Sequence, residues 1–380
     1  MLGAWLFLPM ASYPMPVVAI TKMSVTCVSV FIGTVFFDPS RFNGLRFTST
    51  DAALIAWVLA PLLSAISAGY GVSEGVAGAL NQMVSWGLPY LVGRLYFSDQ
   101  KALTELAIAV FIGGLVYAPL VIFEAKMSPQ LHTYVYGFHQ HQFAQARRGE
   151  GWRPTVFMQH GLAVAMFMGT AAVCGLWLWL GGGLRVLLGS VALPAGRMLG
   201  TKLILWLLMS IAPVYILART IGGWDAQLLR SIAGIMGDDR GGSLGVRLTS
   251  EEVCWRFIQS SPLLGDCRMD RLMLRDMPDE RFVPDALWLI VMTKNGLFGV
   301  LALYSFLLLP VKEYLSGFRP SALFARHLCG ATVAATVLAL YVVDSLLNAM
   351  VNPIYLLGAG GLVGLMKSRG FSSMGPMPAR

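Results

Sequence analysis

Charge is scarce in this chain. Asp, Glu, Lys and Arg make up 13% of its 380 residues, while 56% are hydrophobic. A soluble domain of this length carries about a quarter charged residues, so an ordinary water-soluble fold is excluded. Sulfur and imidazole are also sparse. The five cysteines fall at no zinc-ligand spacing. His139, His141 and His160 have no carboxylate or cysteine at ligand distance, and His139 and His141 share a face only in extended chain. No metal centre is expected. The glycine-rich stretch GDDRGGSLGVRL matches no phosphate-binding loop, so no nucleotide site and no other cofactor is expected. Internal repeats and a soluble domain are lacking as well.

Apolar sequence in long runs is abundant. A hydrocarbon core about 30 Å thick needs about 20 apolar residues per crossing. Runs of that kind cover residues 4–20, 23–37, 52–68, 79–96, 104–124, 155–181, 201–218, 285–311, 322–343 and 351–366. Lipid admits only backbone that closes its own hydrogen bonds. The expected class is therefore an all-α polytopic transmembrane bundle of about ten spans. No basic region precedes residues 4–20, which read as a span rather than a cleaved signal peptide.

With the N-terminus inside, the short inside loops hold Arg41, Arg46, Lys101, Arg185, Arg197, Lys312, Arg319 and Arg326. The outside loops at 69–78 and 344–350 hold no Lys or Arg. This agrees with the positive-inside rule, with Lys22 as the exception. An inside connector follows Gly181-Gly182-Gly183 to about residue 200, and residues 367–380 read as a flexible cytoplasmic tail.

Two longer loops fall outside, 125–154 and 219–284. The second holds nine arginines and no lysine. Arginine alone suits planar, bidentate oxyanion contacts, although ten nearby Asp and Glu residues can equally pair with it in a solvated subdomain. Within this loop TSEEVCWRFIQSSPLLGD reads as one short amphipathic helix. Thr249 caps it, Glu252 completes a capping box, and Ser261-Pro262 stops it. Cys254 and Cys267 share the loop and can pair in an oxidising compartment. Cys27, Cys174 and Cys329 lie in spans as packing residues.

Three stretches concentrate polar chemistry. ARRGEGWRP places Arg147, Arg148 and Arg153 before an apolar run, with Pro154 suited to a first helical turn. Guanidinium groups at a helix N-terminus bind anions; the same arginines can instead snorkel to headgroups. His160 follows, one to two turns into the span. Asp285 opens the run DALWLIVMTKNGLFG, as a proton-accepting carboxylate beside arginines or as a helix cap, and Lys294 lies deeper, needing a partner or a wet cavity. Asp344, Asn348 and Asn352 stand four apart, a stripe for a cavity wall or for helix–helix hydrogen bonds.

In order and spacing, RPTVFMQHG, GSLGVRL…W…SPLLG and DALWLIVMTKNGLFG resemble the O-antigen ligase and O-antigen polymerase superfamily. The resemblance covers roughly residues 140–300. It implies a membrane glycosyltransferase of the bacterial plasma membrane, its active face extracytoplasmic. Such an enzyme takes a glycan from a polyprenyl diphosphate to a sugar hydroxyl in O-antigen or exopolysaccharide assembly. The implied partners are the lipid-linked glycan, a glycan acceptor and membrane lipid, with no nucleic acid. Arg153 and Arg247 take the places of the family's functional arginines, with implied roles in holding the donor diphosphate. Asp285 takes the place of the family's histidine, with an implied role on the acceptor hydroxyl; a ligase is where that histidine is most expected, and the change leaves polymerase or exopolysaccharide-type activity open. Arg147, Arg148, His160 and Arg256 complete the expected substrate contacts. Two readings compete: a transporter or flippase of lipid-linked glycan or another anion, and an inactive family member.

Overall fold

The computed structural model describes residues 1–13, 18–140, 143–148, 151–180, 201–221, 227, 231, 238–268 and 285–368. Thirteen α-helices take most of them. They are α1 (Leu2–Phe7), α2 (Lys22–Phe37), α3 (Ser49–Ser67), α4 (Val72–Gln82), α5 (Leu88–Tyr96), α6 (Gln100–Met127), α7 (Leu131–Tyr136), α8 (Gly161–Leu180), α9 (Thr201–Thr220), α10 (Asp238–Ile258), α11 (Leu287–Gly317), α12 (Cys329–Asp344) and α13 (Pro353–Ser368). The strands are two small hairpins, Ser12–Tyr13 with Ile20–Thr21 and Arg147–Arg148 with Gly151–Trp152.

Among the described residues, six helices are long and apolar enough to cross a membrane: Ser49–Ser67, Gln100–Met127, Gly161–Trp179, Lys202–Thr220, Leu287–Gly317 and Arg326–Asp344. That is compatible with a multi-pass membrane protein, with fewer long spans than the ten apolar runs. Residues 4–20 are not one helix. Pro9, Pro14 and Pro16 interrupt the run, and the chain forms α1 and then the first hairpin. The run 79–96 is helical from Val72 to Tyr96 but carries a π-helical segment at Met83–Gly87. Lys22–Phe37 and Pro353–Lys367 are apolar but shorter.

Helix starts follow local chemistry. Thr21 and Thr48 form capping boxes with Ser24 and Asp51, and Asp99 caps α6. Asp51 does a second job: Arg94, almost fully buried on α5, reaches it at 2.6 Å, and the Tyr90 hydroxyl donates to it at 2.7 Å. The core lies along α11, α12 and α13. α13 packs on α5 with very close backbone approach, because a Cβ at Gly360 would strike the Tyr90 carbonyl and one at Gly93 the Leu357 carbonyl. Small residues permit that approach where lipid gives no hydrophobic drive.

Two expected elements shift. α8 begins at Gly161, after Pro154 has left the chain non-helical, so Pro154 is not in its first turn. α10 begins at Asp238, so DDRGGSLGVRL is helical and Thr249 lies in the helix interior. The buried end of α10 anchors it: Val253, Cys254 and Ile258 are enclosed, and Glu251 pairs with Arg219 of α9 at 2.8 Å. Tertiary burial outweighs the glycine penalty of about 1 kcal/mol per residue. The connector 182–200 and the tail beyond Ser368 lie outside the described residues.

Candidate functional site

The middle of α10, the start of α11 and the linker after α12 meet in one charged cluster. Arg247 projects from α10, and its Nη2 lies 3.9 Å from Asp285 Oδ2 and donates to Asn348 Oδ1 at 3.3 Å. Asn348 Nδ2 in turn donates to Asp344 at 2.6 Å. Asp285 is half-exposed and stands one residue before Ala286, which is the N-cap of α11; no side chain caps that helix. Asp285 therefore faces Arg247 instead of capping. The stripe expected from Asp344, Asn348 and Asn352 divides. α12 ends at Asp344, Asn348 joins the arginine, and Asn352 accepts the Ile354 amide at the start of α13.

The second expected group lies on the segment before α8. Arg147 and Arg148 pair with Trp152 and Gly151 across the hairpin, and Arg147 is exposed. Arg153 donates its amide to Ala146 at 2.7 Å, and its aliphatic stem lies against Gly161. The side chain thus returns to the first residue of α8 although its backbone sits outside the helix. His160 is not inside the span; its Nδ1 accepts the Leu162 amide at 3.2 Å in the manner of an N-cap. Arg256 is exposed in the last turn of α10, where a cation suits the helix dipole.

Sequence reasoning passed over what holds this segment down. Glu124, fully buried in the last turn of α6, accepts the amides of Leu131 at 3.0 Å, Thr155 at 2.8 Å and Val156 at 2.7 Å. Gln140 donates to the carbonyls of Val156 and Met158. These contacts keep 155–158 non-helical while satisfying its backbone, as buried irregular chain requires. The signal was an acid at the end of an apolar run, where it opposes the helix dipole and so calls for donors from elsewhere. His132, also buried, accepts the Met10 amide through Nε2 at 3.0 Å and bonds the Phe138 carbonyl through Nδ1 at 2.8 Å. The imidazole is thus neutral with its proton on Nδ1.

A cavity of about 800 Å³ opens beside this region. None of Arg147, Arg148, Arg153, His160, Arg247, Arg256 or Asp285 lines it. Its wall includes a break in α11. Gly296 has φ 60° and ψ −164°, and the strap 261–266 docks into the gap. The amides of Leu297 and Phe298 donate to the carbonyls of Pro262 and Leu263, while Asp266 donates to Thr293 and the Ser64 hydroxyl to Lys294. Gly265, also at positive φ, lies against the backbone of residues 294–296. Lys294 and Asn295 flank the break and line the cavity, together with Lys22, Gln82 and Trp86 around the π-helical segment. The linker 345–352 joins the two regions, since Asn348 meets Arg247 while Met350 and Asn352 line the cavity.

Cys254 and Cys267 are free thiols, the first buried in α10 and the second at the cavity wall. Comparison with known proteins finds no family model, no curated protein and no solved structure that matches this chain.

Proposed function

We propose that this chain is a membrane glycosyltransferase of the O-antigen polymerase or ligase kind. It moves a glycan from a polyprenyl-diphosphate donor to a sugar hydroxyl at the outer face of the bacterial plasma membrane. The observation that carries this reading is Arg247, held 3.9 Å from Asp285 at the start of α11. A guanidinium for a leaving diphosphate stands beside a carboxylate for an attacking hydroxyl. In the reaction, Asp285 takes the acceptor proton and the hydroxyl oxygen bonds to the anomeric carbon. The bond from that carbon to the diphosphate breaks, and the diphosphate leaves with the electron pair. Arg247 stabilises the charge that develops on it, and Arg153 adds a second cation; fixed donors of this kind act without reorganisation. In this reading α2, the α4–α5 run and α13 cross the membrane with the six long helices.

The test is transfer in proteoliposomes supplied with polyprenyl-diphosphate oligosaccharides. Arg247→Ala and Asp285→Asn are expected to lose activity about 100-fold or more, the loss typical of removing one charge-stabilising group, while remaining folded. Wild-type rates in both variants would sink the assignment.

The α11 break supports a second reading. Transporters bind substrate where helices are discontinuous near the midplane, and Lys294 and Asn295 flank such a discontinuity at a cavity. Wild type that translocates a fluorescent lipid-linked glycan without extending it selects this reading.

A further inference from the structure

Two deeply buried polar side chains at the cavity have hydrogen-bonding capacity that the described protein does not use. Lys22 is 8% exposed, and its ammonium makes one hydrogen bond, 2.6 Å to the Phe157 carbonyl. An ammonium carries three protons. Asn295 is 4% exposed, and its amide makes no hydrogen bond to any described residue. That amide can donate twice and accept twice. Buried polar groups are partnered almost without exception, by protein or by ordered water, and these two line the cavity, so both can partner an occupant of it.

The chemistry of the wall selects among occupants. Lys294 brings a second ammonium. Glu74 is the wall's carboxylate, and Arg268 engages it at 2.7 Å. An ionised phosphate offers acceptors, which suit Lys22 but leave the Asn295 carbonyl without a donor. A neutral sugar fills Asn295 and leaves Lys22 without an anion. A carboxylate that also carries hydroxyl groups fills both. Trp5 and Trp86 supply flat apolar surface beside these polar groups, and a volume of about 800 Å³ falls within the range of small-ligand sites.

We propose that the cavity binds an acidic sugar, its carboxylate against Lys22 and Lys294 and its hydroxyls against Asn295. The class is a uronate-like residue of a glycan. Calling the ligand part of a glycan rests on the transferase reading above; the pairing of acid with hydroxyl does not.

Cys267 offers a direct readout, because it lines the cavity at intermediate exposure while the other four cysteines are buried. The full chain in nanodiscs is labelled with a maleimide. The probes are a glucuronate-containing trisaccharide, the matched all-glucose trisaccharide and inorganic diphosphate. The glucuronate probe is expected to slow Cys267 labelling and the other two to leave it unchanged. Lys22→Met and Asn295→Leu are expected to raise the apparent Kd for the glucuronate probe about tenfold or more. Gln82 is half-buried at the cavity wall and hydrogen-bonds to no described residue. Gln82→Ala therefore removes no hydrogen bond among the described residues and gives a milder variant, with a smaller expected rise.

Equal protection by the neutral trisaccharide or by diphosphate overturns the proposal. Protection by none of the three also overturns it, since the cavity then holds only water. Arg247→Ala and Asp285→Asn lie off the cavity and are expected to retain protection. If wild type transfers nothing yet glucuronate still shields Cys267, the transferase reading falls and this site stands. Transfer of neutral glycans without glucuronate protection gives the reverse.

Discussion

The amides of Leu131, Thr155 and Val156 converge on the Glu124 carboxylate, which has no exposed surface. Charge-assisted bonds of this kind are about twice as strong as neutral ones. Glu124→Gln puts an NH2 group where amides expect an acceptor, at an expected cost of about 1.5–3 kcal/mol. Thermal unfolding in detergent and faster proteolysis within 131–160 would register it; an unchanged melting temperature would refute the role. Residues differ in how readable they are. Asp285 and Arg247 stand out because charge is rare in this chain, and the sequence placed them on the same face. The hydrogen bond from Arg247 to Asn348 did not stand out, because it depends on where α12 stops. Lys22 was visible only as a breach of charge asymmetry. Its reason is the Phe157 carbonyl, more than a hundred residues along the chain. Asn295 was invisible as a polar residue within an apolar run, since only the break at Gly296 gives it a cavity to face.

Among elements, the N-terminal segment and α7 are tied through His132 and the Met10 amide. Burial holds the His132 imidazole below its usual value of 6.5. Between the folded and unfolded values, the unfolded ring binds a proton that the folded ring does not. The contribution of this contact is therefore complete above about pH 6.5 and declines as pH falls through that value. Hydrogen exchange over residues 1–13 is expected to quicken on acidification, and His132→Gln is expected to abolish the pH dependence. The break in α11 makes a different demand. A Cβ at Gly296 would strike the Leu263 carbonyl, and its φ of 60° is strained for any L side chain. Gly296→Ala is expected to cost about 1–3 kcal/mol, lowering the melting temperature and speeding Cys267 labelling as the strap loosens. Hydropathy located α11 well. It could not show the break, because SPLLG and NGLFG look apolar separately and only their docking explains both pairs of glycine and leucine.

At the scale of the whole molecule, the bundle depends on contacts that let helices approach at backbone distance. Gly360→Val would push α13 off the Tyr90 carbonyl of α5, with an expected loss of about 3 kcal/mol, readable as a lowered melting temperature. Alternating apolar runs and charged loops made the membrane class legible. The number of long helices was less so, because proline turned the first run into a short helix and hairpin, and a π-helical segment divided the fourth. The strap at 261–266 has a biosynthetic consequence as well. It precedes α11 in the chain, so the groups that complete the interrupted helix leave the ribosome before the helix does. α11 therefore does not complete its own hydrogen bonding; its amides at Leu297 and Phe298 take carbonyls made earlier. Any fragment designed to carry α11 must begin upstream of Ser261, or those two amides lose the carbonyls that complete the interrupted helix.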